Sequence, residues 1–182
     1  LGIIGLGQIG LGVADRAKGF GMHLLGYDPY AGAKVASQRD DIRVVELDEL
    51  LRLSDFISLN LPLSPETVGL IGREALQQMK PGAIVVNTSR GRIVDEEAMY
   101  EALRDKRISG YATDVFEQEP PVGSPLLALP NVLFTSHIGW YTQESMKLLG
   151  DQVVASILAV YGGGTPGNIL NPEVLSGGAP RF

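Results

Sequence analysis

The sequence predicts an α/β fold in which a doubly wound parallel sheet is covered by helices on both faces. Three observations predict it. Short apolar runs alternate with stretches of helical spacing along most of the chain, the pattern of successive βαβ units. The first run, Leu1-Gly2-Ile3-Ile4, leads straight into a glycine-rich turn, Gly5-Leu6-Gly7-Gln8-Ile9-Gly10. The second run, His23-Leu24-Leu25-Gly26-Tyr27, ends on an acidic residue, Asp28, eighteen positions after the last of those glycines.

Taken in order, the elements are strands near 2–6, 23–27, 44–45, 56–59, 84–87, 110–113 and 132–134, with helical segments between them. The first helix follows the glycine turn. The clearest of the later ones is expected at 95–105, where Asp95 can cap, Glu96 and Glu97 suit the positive first turn, and Ala98, Ala102 and Leu103 share an apolar face. A long closing helix is expected at 142–161, because Met146, Leu149, Val153, Ile157 and Val160 recur three or four apart, and Gly162-Gly163-Gly164 ends it. The segment beyond, with Asn171-Pro172 and Gly177-Gly178, has no periodicity. The expected organisation is therefore a main domain at 1–164 and an extended tail at 165–182.

Composition narrows the functional classes. A length of 182 residues suits one domain with a sizeable core. The net charge of −6 and the lack of a Lys/Arg cluster argue against a nucleic-acid partner, since phosphate binding needs concentrated positive charge. The apolar runs are strand length, far short of the roughly 20 residues of a membrane span, and no basic flank marks a signal peptide. With no cysteine there is no disulfide framework, thiol nucleophile or cysteine zinc site, and no metal is expected. These features fit a cytoplasmic protein.

The glycine turn has the form of a dinucleotide fingerprint of Rossmann type. Gly5 permits the tight turn out of the strand, Gly7 lets backbone approach a pyrophosphate, and Gly10 lets helix and strand pack closely. The pyrophosphate would then sit on free N–H groups at the positive end of the helix. Asp28 is placed to accept hydrogen bonds from the adenosine ribose hydroxyls, and its charge would repel a 2′-phosphate, which favours NAD over NADP.

The chain has two histidines. His23 opens the second strand and is read as structural, inside the sheet. His137 follows Val132-Leu133-Phe134-Thr135-Ser136 at a carboxyl strand end, where open α/β sheets bind their ligands. Arg90 in Asn87-Thr88-Ser89-Arg90-Gly91 and Glu119 before Pro120 follow other strand ends. A cation, a carboxylate and an imidazole on one rim suffice chemically for a 2-hydroxy acid and its 2-oxo partner: arginine binds the carboxylate, and histidine moves the proton as hydride passes to or from nicotinamide. Spacing alone leaves a second reading open, with Arg90 a loop salt-bridge partner and Glu119 a solvated turn residue.

With these motifs in order, together with Asn60-Leu61-Pro62-Leu63-Ser64-Pro65-Glu66-Thr67, Asp114-Val115-Phe116 and His137-Ile138-Gly139, the sequence resembles the NAD-binding domain of the D-isomer-specific 2-hydroxyacid dehydrogenases over about residues 1–175. The resemblance implies that Arg90, Glu119 and His137 are the catalytic residues. It also implies that Gln8 and Ile9 offer N–H groups to the pyrophosphate and that Pro62 and Thr67 lie along the adenosine side. Thr88 would lie near the nicotinamide ribose and Asp114 at the carboxamide, with Leu61, Ser89 and Gly139 also among the residues that bind the cofactor.

Two departures qualify it. Trp140-Tyr141 follows the His137 motif where many members have small residues, which is similar to the subgroup of NAD(H)-binding corepressors and their bacterial relatives; Trp140 is read either as lining the substrate site or as a core aromatic. The smaller substrate domain of the family is expected to be missing from this chain, with Asn171-Pro172-Glu173-Val174 marking the return to it. The resemblance thus implies part of an NAD-dependent dehydrogenase acting on a small D-2-hydroxy or 2-oxo acid, homodimeric as a whole protein and weakly active as a lone domain. A redox-sensing interaction protein of corepressor type is the alternative.

Overall fold

Ile3 and Ile4 are neighbours in the chain and both fully buried, yet they belong to different hydrophobic clusters, because successive strand residues face opposite sides of a sheet. One cluster joins Ile3 to Leu6, Ala14, Ala17, Leu24, Val35 and Ile42. The larger one joins Ile4 to Leu50, Ile57, Leu59, Leu76, Val85, Met99 and Leu103 among others. A strand buried on both faces is the centre of a doubly wound sheet.

The computed structural model describes residues 1–173, and the remainder of the expected tail, including Val174, lies outside the described residues. Strands β1 (Gly2–Ile4), β2 (Leu24–Tyr27), β3 (Ile42–Val44), β4 (Phe56–Leu59), β5 (Ile84–Asn87), β6 (Gly110–Thr113) and β7 (Val132–Phe134) form one sheet in the order β3-β2-β1-β4-β5-β6-β7. Every pairing is parallel. Helices α1 (Gln8–Lys18), α2 (Gly32–Gln38), α3 (Leu47–Leu53), α4 (Arg73–Gln78) and α5 (Glu96–Arg104) lie between strands, and α6 (Gln143–Tyr161) follows the last. The order reverses between β1 and β4, and at such a switch point a crevice opens beyond the carboxyl ends of the strands.

The expected elements are present with local differences. The first strand stops at Ile4 because Gly5 takes a left-handed φ of +91°, turning the chain out of the sheet. Strand β3 begins earlier than expected, at Ile42, which is buried against β2. His23 is not inside the sheet: it is exposed and precedes β2, because the turn after α1 carries it over the amino edge. Asp95 caps α5 as expected, accepting a hydrogen bond from the Ala98 amide at 3.0 Å.

The described residues group into two units, Leu1–Gly139 and a second beginning at Trp140. In the second, Thr142 caps α6 by accepting from the Ser145 amide, and Gly162 and Gly163 end it, Gly163 with φ +73°. No residue of α6 is buried among the described residues; Met146, Leu149, Val153 and Ile157 are exposed. No helix of the described residues is long and apolar enough to cross a membrane.

Candidate active site

The glycine turn has the geometry its spacing predicts. A Cβ on Gly10 would lie 1.9 Å from the Gly5 carbonyl oxygen, so α1 can approach β1 only with glycine there. A Cβ on Gly7 would meet nothing within 4 Å, which leaves the face above the turn open. No side chain caps α1, so its first N–H groups point outward from exposed Gly7, Gln8 and Ile9. These three line a cleft of about 450 Å³ together with Asn60, Leu61, Pro62, Thr88, Ser89 and Arg90, from the ends of β4 and β5. An uncapped helix end facing an open cleft fits a dinucleotide pyrophosphate.

Asp28 does more than end β2. Its Oδ2 accepts from the Leu6 amide at 2.9 Å, and its Oδ1 accepts from the Tyr30 and Ala31 amides at 2.9 and 2.8 Å. Burial pushes this carboxyl up, but the amides of Ala31, Leu6 and Tyr30 outweigh it and hold the group below the ordinary value, so it is ionised at neutral pH. One carboxylate thus ties the glycine turn to the loop after β2.

The β4 and β5 loops are laced together beneath the cleft. Buried Asn87 accepts from the Ser89 amide at 3.0 Å and donates to the Arg90 carbonyl at 3.0 Å. The Ser89 hydroxyl donates to the Leu59 carbonyl and accepts from the Leu61 amide. Its side chain is therefore turned into the protein, and Ser89 reaches the cleft as backbone. Arg90 is exposed, with Nη1 donating to the Ser89 carbonyl at 2.6 Å. Thr67 fastens its own loop, donating to the Pro62 carbonyl at 2.8 Å and accepting from the Ser64 amide at 2.8 Å.

Two further strand ends meet at the imidazole. His137 Nδ1 lies 2.7 Å from Glu119 Oε2. Glu119 Oε1 accepts from the Phe116 amide at 3.0 Å. The hydrogen bond from His137 is the main force holding the Glu119 carboxyl below its ordinary value, against burial, with the Phe116 amide adding to it. A carboxylate only accepts, so Nδ1 carries the proton in this contact. His137 itself has φ +58°, a left-handed conformation uncommon outside glycine and associated with functional strain.

Asp114 sustains that conformation. Its Oδ1 accepts from the Ile138 amide at 2.9 Å and from the Thr135 hydroxyl, and its Oδ2 accepts from the Gly139 amide at 2.8 Å. Burial pushes the carboxyl up; Thr135, Ile138, Gly139 and the His137 charge together bring it below the ordinary value. In sequence Asp114 reads only as a ligand contact. The Asp114–Thr135 bond spans two neighbouring strand ends, and no local pattern signals it.

The fold and the glycine turn define a dinucleotide-binding domain. Residues 1–139 match the family model described as D-isomer specific 2-hydroxyacid dehydrogenase, NAD binding domain. The chain belongs to that family, as its NAD-binding domain. It is 47% identical to the D-3-phosphoglycerate dehydrogenase of Methanocaldococcus jannaschii, over 94% of this chain and 33% of that protein. It is 44% identical to the glyoxylate reductase of Korarchaeum cryptofilum, over 100% of this chain and 55% of that protein. The crystal structure of the Aquifex aeolicus D-lactate dehydrogenase with NAD and lactic acid superposes with a TM-score of 0.80 at 35% identity, covering 89% of this chain and 53% of that one. The chain thus spans from a third to a little over half the length of these relatives.

Proposed function

We propose that this domain is the cofactor-binding half of an oxidoreductase that passes hydride between NAD(H) and a small D-2-hydroxy acid or its 2-oxo partner. The observation that carries the reading is the His137–Glu119 pair at 2.7 Å, which follows β6 and β7 of the same parallel sheet whose β5 and β1 lead to Arg90 and the uncapped end of α1. Bound NAD(H) supplies or accepts the hydride. Gln8 and Ile9 would hold the pyrophosphate, Leu61, Pro62 and Thr88 would line the cofactor's path, and Asp28 would take the ribose hydroxyls and disfavour a 2′-phosphate.

The protein's own chemistry is then proton transfer and orientation. The exposed Arg90 guanidinium binds the substrate carboxylate, using donors other than the one given to Ser89. His137, oriented through Nδ1 by Glu119, delivers a proton from Nε2 to the substrate oxygen during reduction and takes it back during oxidation. The imidazolium formed in oxidation is stabilised by the adjacent carboxylate. Water must be excluded while this happens, and a second domain closing over the rim would do so. The three relatives named above are a dehydrogenase of phosphoglycerate, a reductase of glyoxylate and a dehydrogenase crystallised with lactic acid, which supports a small 2-hydroxy or 2-oxo acid as substrate. None is a corepressor. A homodimer belongs to the same reading, supported by the apolar side chains that α6 leaves exposed and tested by sedimentation.

The test is NADH oxidation by the full-length gene product with glyoxylate, hydroxypyruvate, pyruvate and phosphohydroxypyruvate. At least one is expected to be reduced, with His137→Gln lowering kcat by roughly 100-fold or more. An unchanged rate in that variant overturns the assignment. Calorimetry should find NADH bound more tightly than NADPH; the reverse order removes the role given to Asp28.

A further inference from the structure

Glu96 is the first residue of α5 and follows the loop that carries Arg90. In sequence it is one more acid in a helix's first turn. In the structure its carboxylate points across to another loop: Oε1 accepts from the Glu117 amide at 2.6 Å, and Oε2 lies 3.4 Å from the Ser124 hydroxyl. These partners bracket the segment that contains Glu119. The same peptide also lies against Gly91, where an added Cβ would come within 1.9 Å of the Phe116 carbonyl carbon and 2.4 Å of the Glu117 nitrogen.

The Phe116–Glu117 linkage is therefore a fixed point between two crossovers. One amide of it, Glu117, is taken by Glu96; the amide just before it, Phe116, is taken by Glu119 Oε1. Glu119 Oε2 then meets His137 Nδ1. A continuous path runs from the start of α5, through a backbone peptide, to the imidazole, and Arg90 hangs from the segment that enters the same helix. Movement of the Glu117 loop away from α5 would carry Glu119 away from His137 while leaving Arg90 in place.

We infer that Glu96 is a positioning residue for hydride-transfer chemistry, holding the 116–124 loop on α5 so that Glu119 orients His137 in register with Arg90. It touches no reacting atom. Its effect passes through the Glu117 amide, a charge-assisted bond to backbone that fixes a loop more firmly than a neutral one. Of the two variants that test this, Glu96→Gln keeps a carbonyl acceptor at the same reach, whereas Glu96→Ala leaves the Glu117 amide without it.

This inference rests on the proposed dehydrogenase activity, so two readouts are needed. In the full-length gene product, Glu96→Ala is expected to lower kcat for a reducible 2-oxo acid roughly 10- to 100-fold, as a misplacement of about 1 Å does, with KM changed less than threefold and Glu96→Gln restoring most of the rate. Independently of turnover, carbon-13 NMR titration should show the Glu119 carboxyl rising toward its ordinary value in Glu96→Ala and staying depressed in Glu96→Gln. A role confined to stability would lower Tm and leave the Glu119 titration and the kcat of folded enzyme where they were; that result overturns the inference. If the unsubstituted protein reduces no 2-oxo acid, the dehydrogenase reading fails, and the Glu119 titration still decides whether Glu96 positions the pair.

Discussion

Replacing Gly91 by alanine adds one methyl group at the most crowded backbone contact near the site. The new Cβ would lie 1.9 Å from the Phe116 carbonyl carbon, 2.0 Å from its oxygen and 2.4 Å from the Glu117 nitrogen, whereas ordinary contact begins at 3.4 Å. Gly91 does not have a left-handed φ, so alanine meets no backbone strain of its own and the whole effect comes from this approach. The obstacle is peptide, which cannot rotate aside as a side chain can. Relief therefore needs the Arg90 loop and the Glu119 loop to part by about 1.5 Å, the shortfall from 3.4 to 1.9 Å. Overpacking of this kind costs roughly 1–3 kcal/mol, and, for the proposed activity, a separation above about 1 Å between groups proposed to serve one substrate costs on the order of 100-fold in rate. The expected outcome for Gly91→Ala in the full-length gene product is a Tm lower by several degrees and kcat of the proposed reduction down about 100-fold, with NADH affinity at the Gly5–Gly10 turn within a few-fold. Differential scanning calorimetry, NADH titration and steady-state kinetics measure the three. A variant with unchanged kcat and Tm would show that the two loops are not locked together, and the reasoning would fail.

Gly10→Ala places a Cβ 1.9 Å from the Gly5 carbonyl oxygen, so α1 must tilt and NADH affinity should fall at least tenfold by calorimetry; retained affinity would refute the tight-turn argument. Asn87→Ala removes the acceptor for the Ser89 amide and the donor to the Arg90 carbonyl in a fully buried position, and is expected to destabilise by about 1–3 kcal/mol in urea unfolding while raising KM for the oxo acid more than the Kd for NADH. For Asp114 the sign follows from linkage. Its folded carboxyl titrates below the ordinary 3.8, so its stabilisation is complete above that value and is lost as pH falls through the depressed one. The stability gap between the unsubstituted protein and Asp114→Asn should therefore be widest near neutrality and close in acid, and a gap that grew on acidification would contradict the hydrogen bonds assigned to Thr135, Ile138 and Gly139.

Much of the fold was legible because its determinants are local. Period-two burial in Ile3 and Ile4, the glycine spacing before α1, and Asp95 ahead of an apolar face each need only a few neighbouring residues, and strands β4 to β7 lie where those patterns put them. Strand-end residues were legible for a topological reason: in a parallel sheet every carboxyl end opens on the same edge, so Arg90, Glu119 and His137 reach one rim whatever the details of the crossovers. His23 lies outside the sheet that its apolar run suggests, because such a run does not say at which residue the chain enters the sheet. What the pattern could not carry is the set of bonds between loops. Glu96 reaches Glu117 across 21 residues and Asp114 reaches Thr135 across another 21, and each looks from its own segment like a helix-start acid or a ligand contact. Those carboxylates and Gly91 tie the loops that carry Arg90, Glu119 and His137 to one another. A rim of suitable side chains therefore follows from strand order, whereas their register depends on backbone amides whose partners are chosen only when the crossovers pack. Substitutions at Glu96 and Gly91 should therefore change rate more than they change what the site recognises.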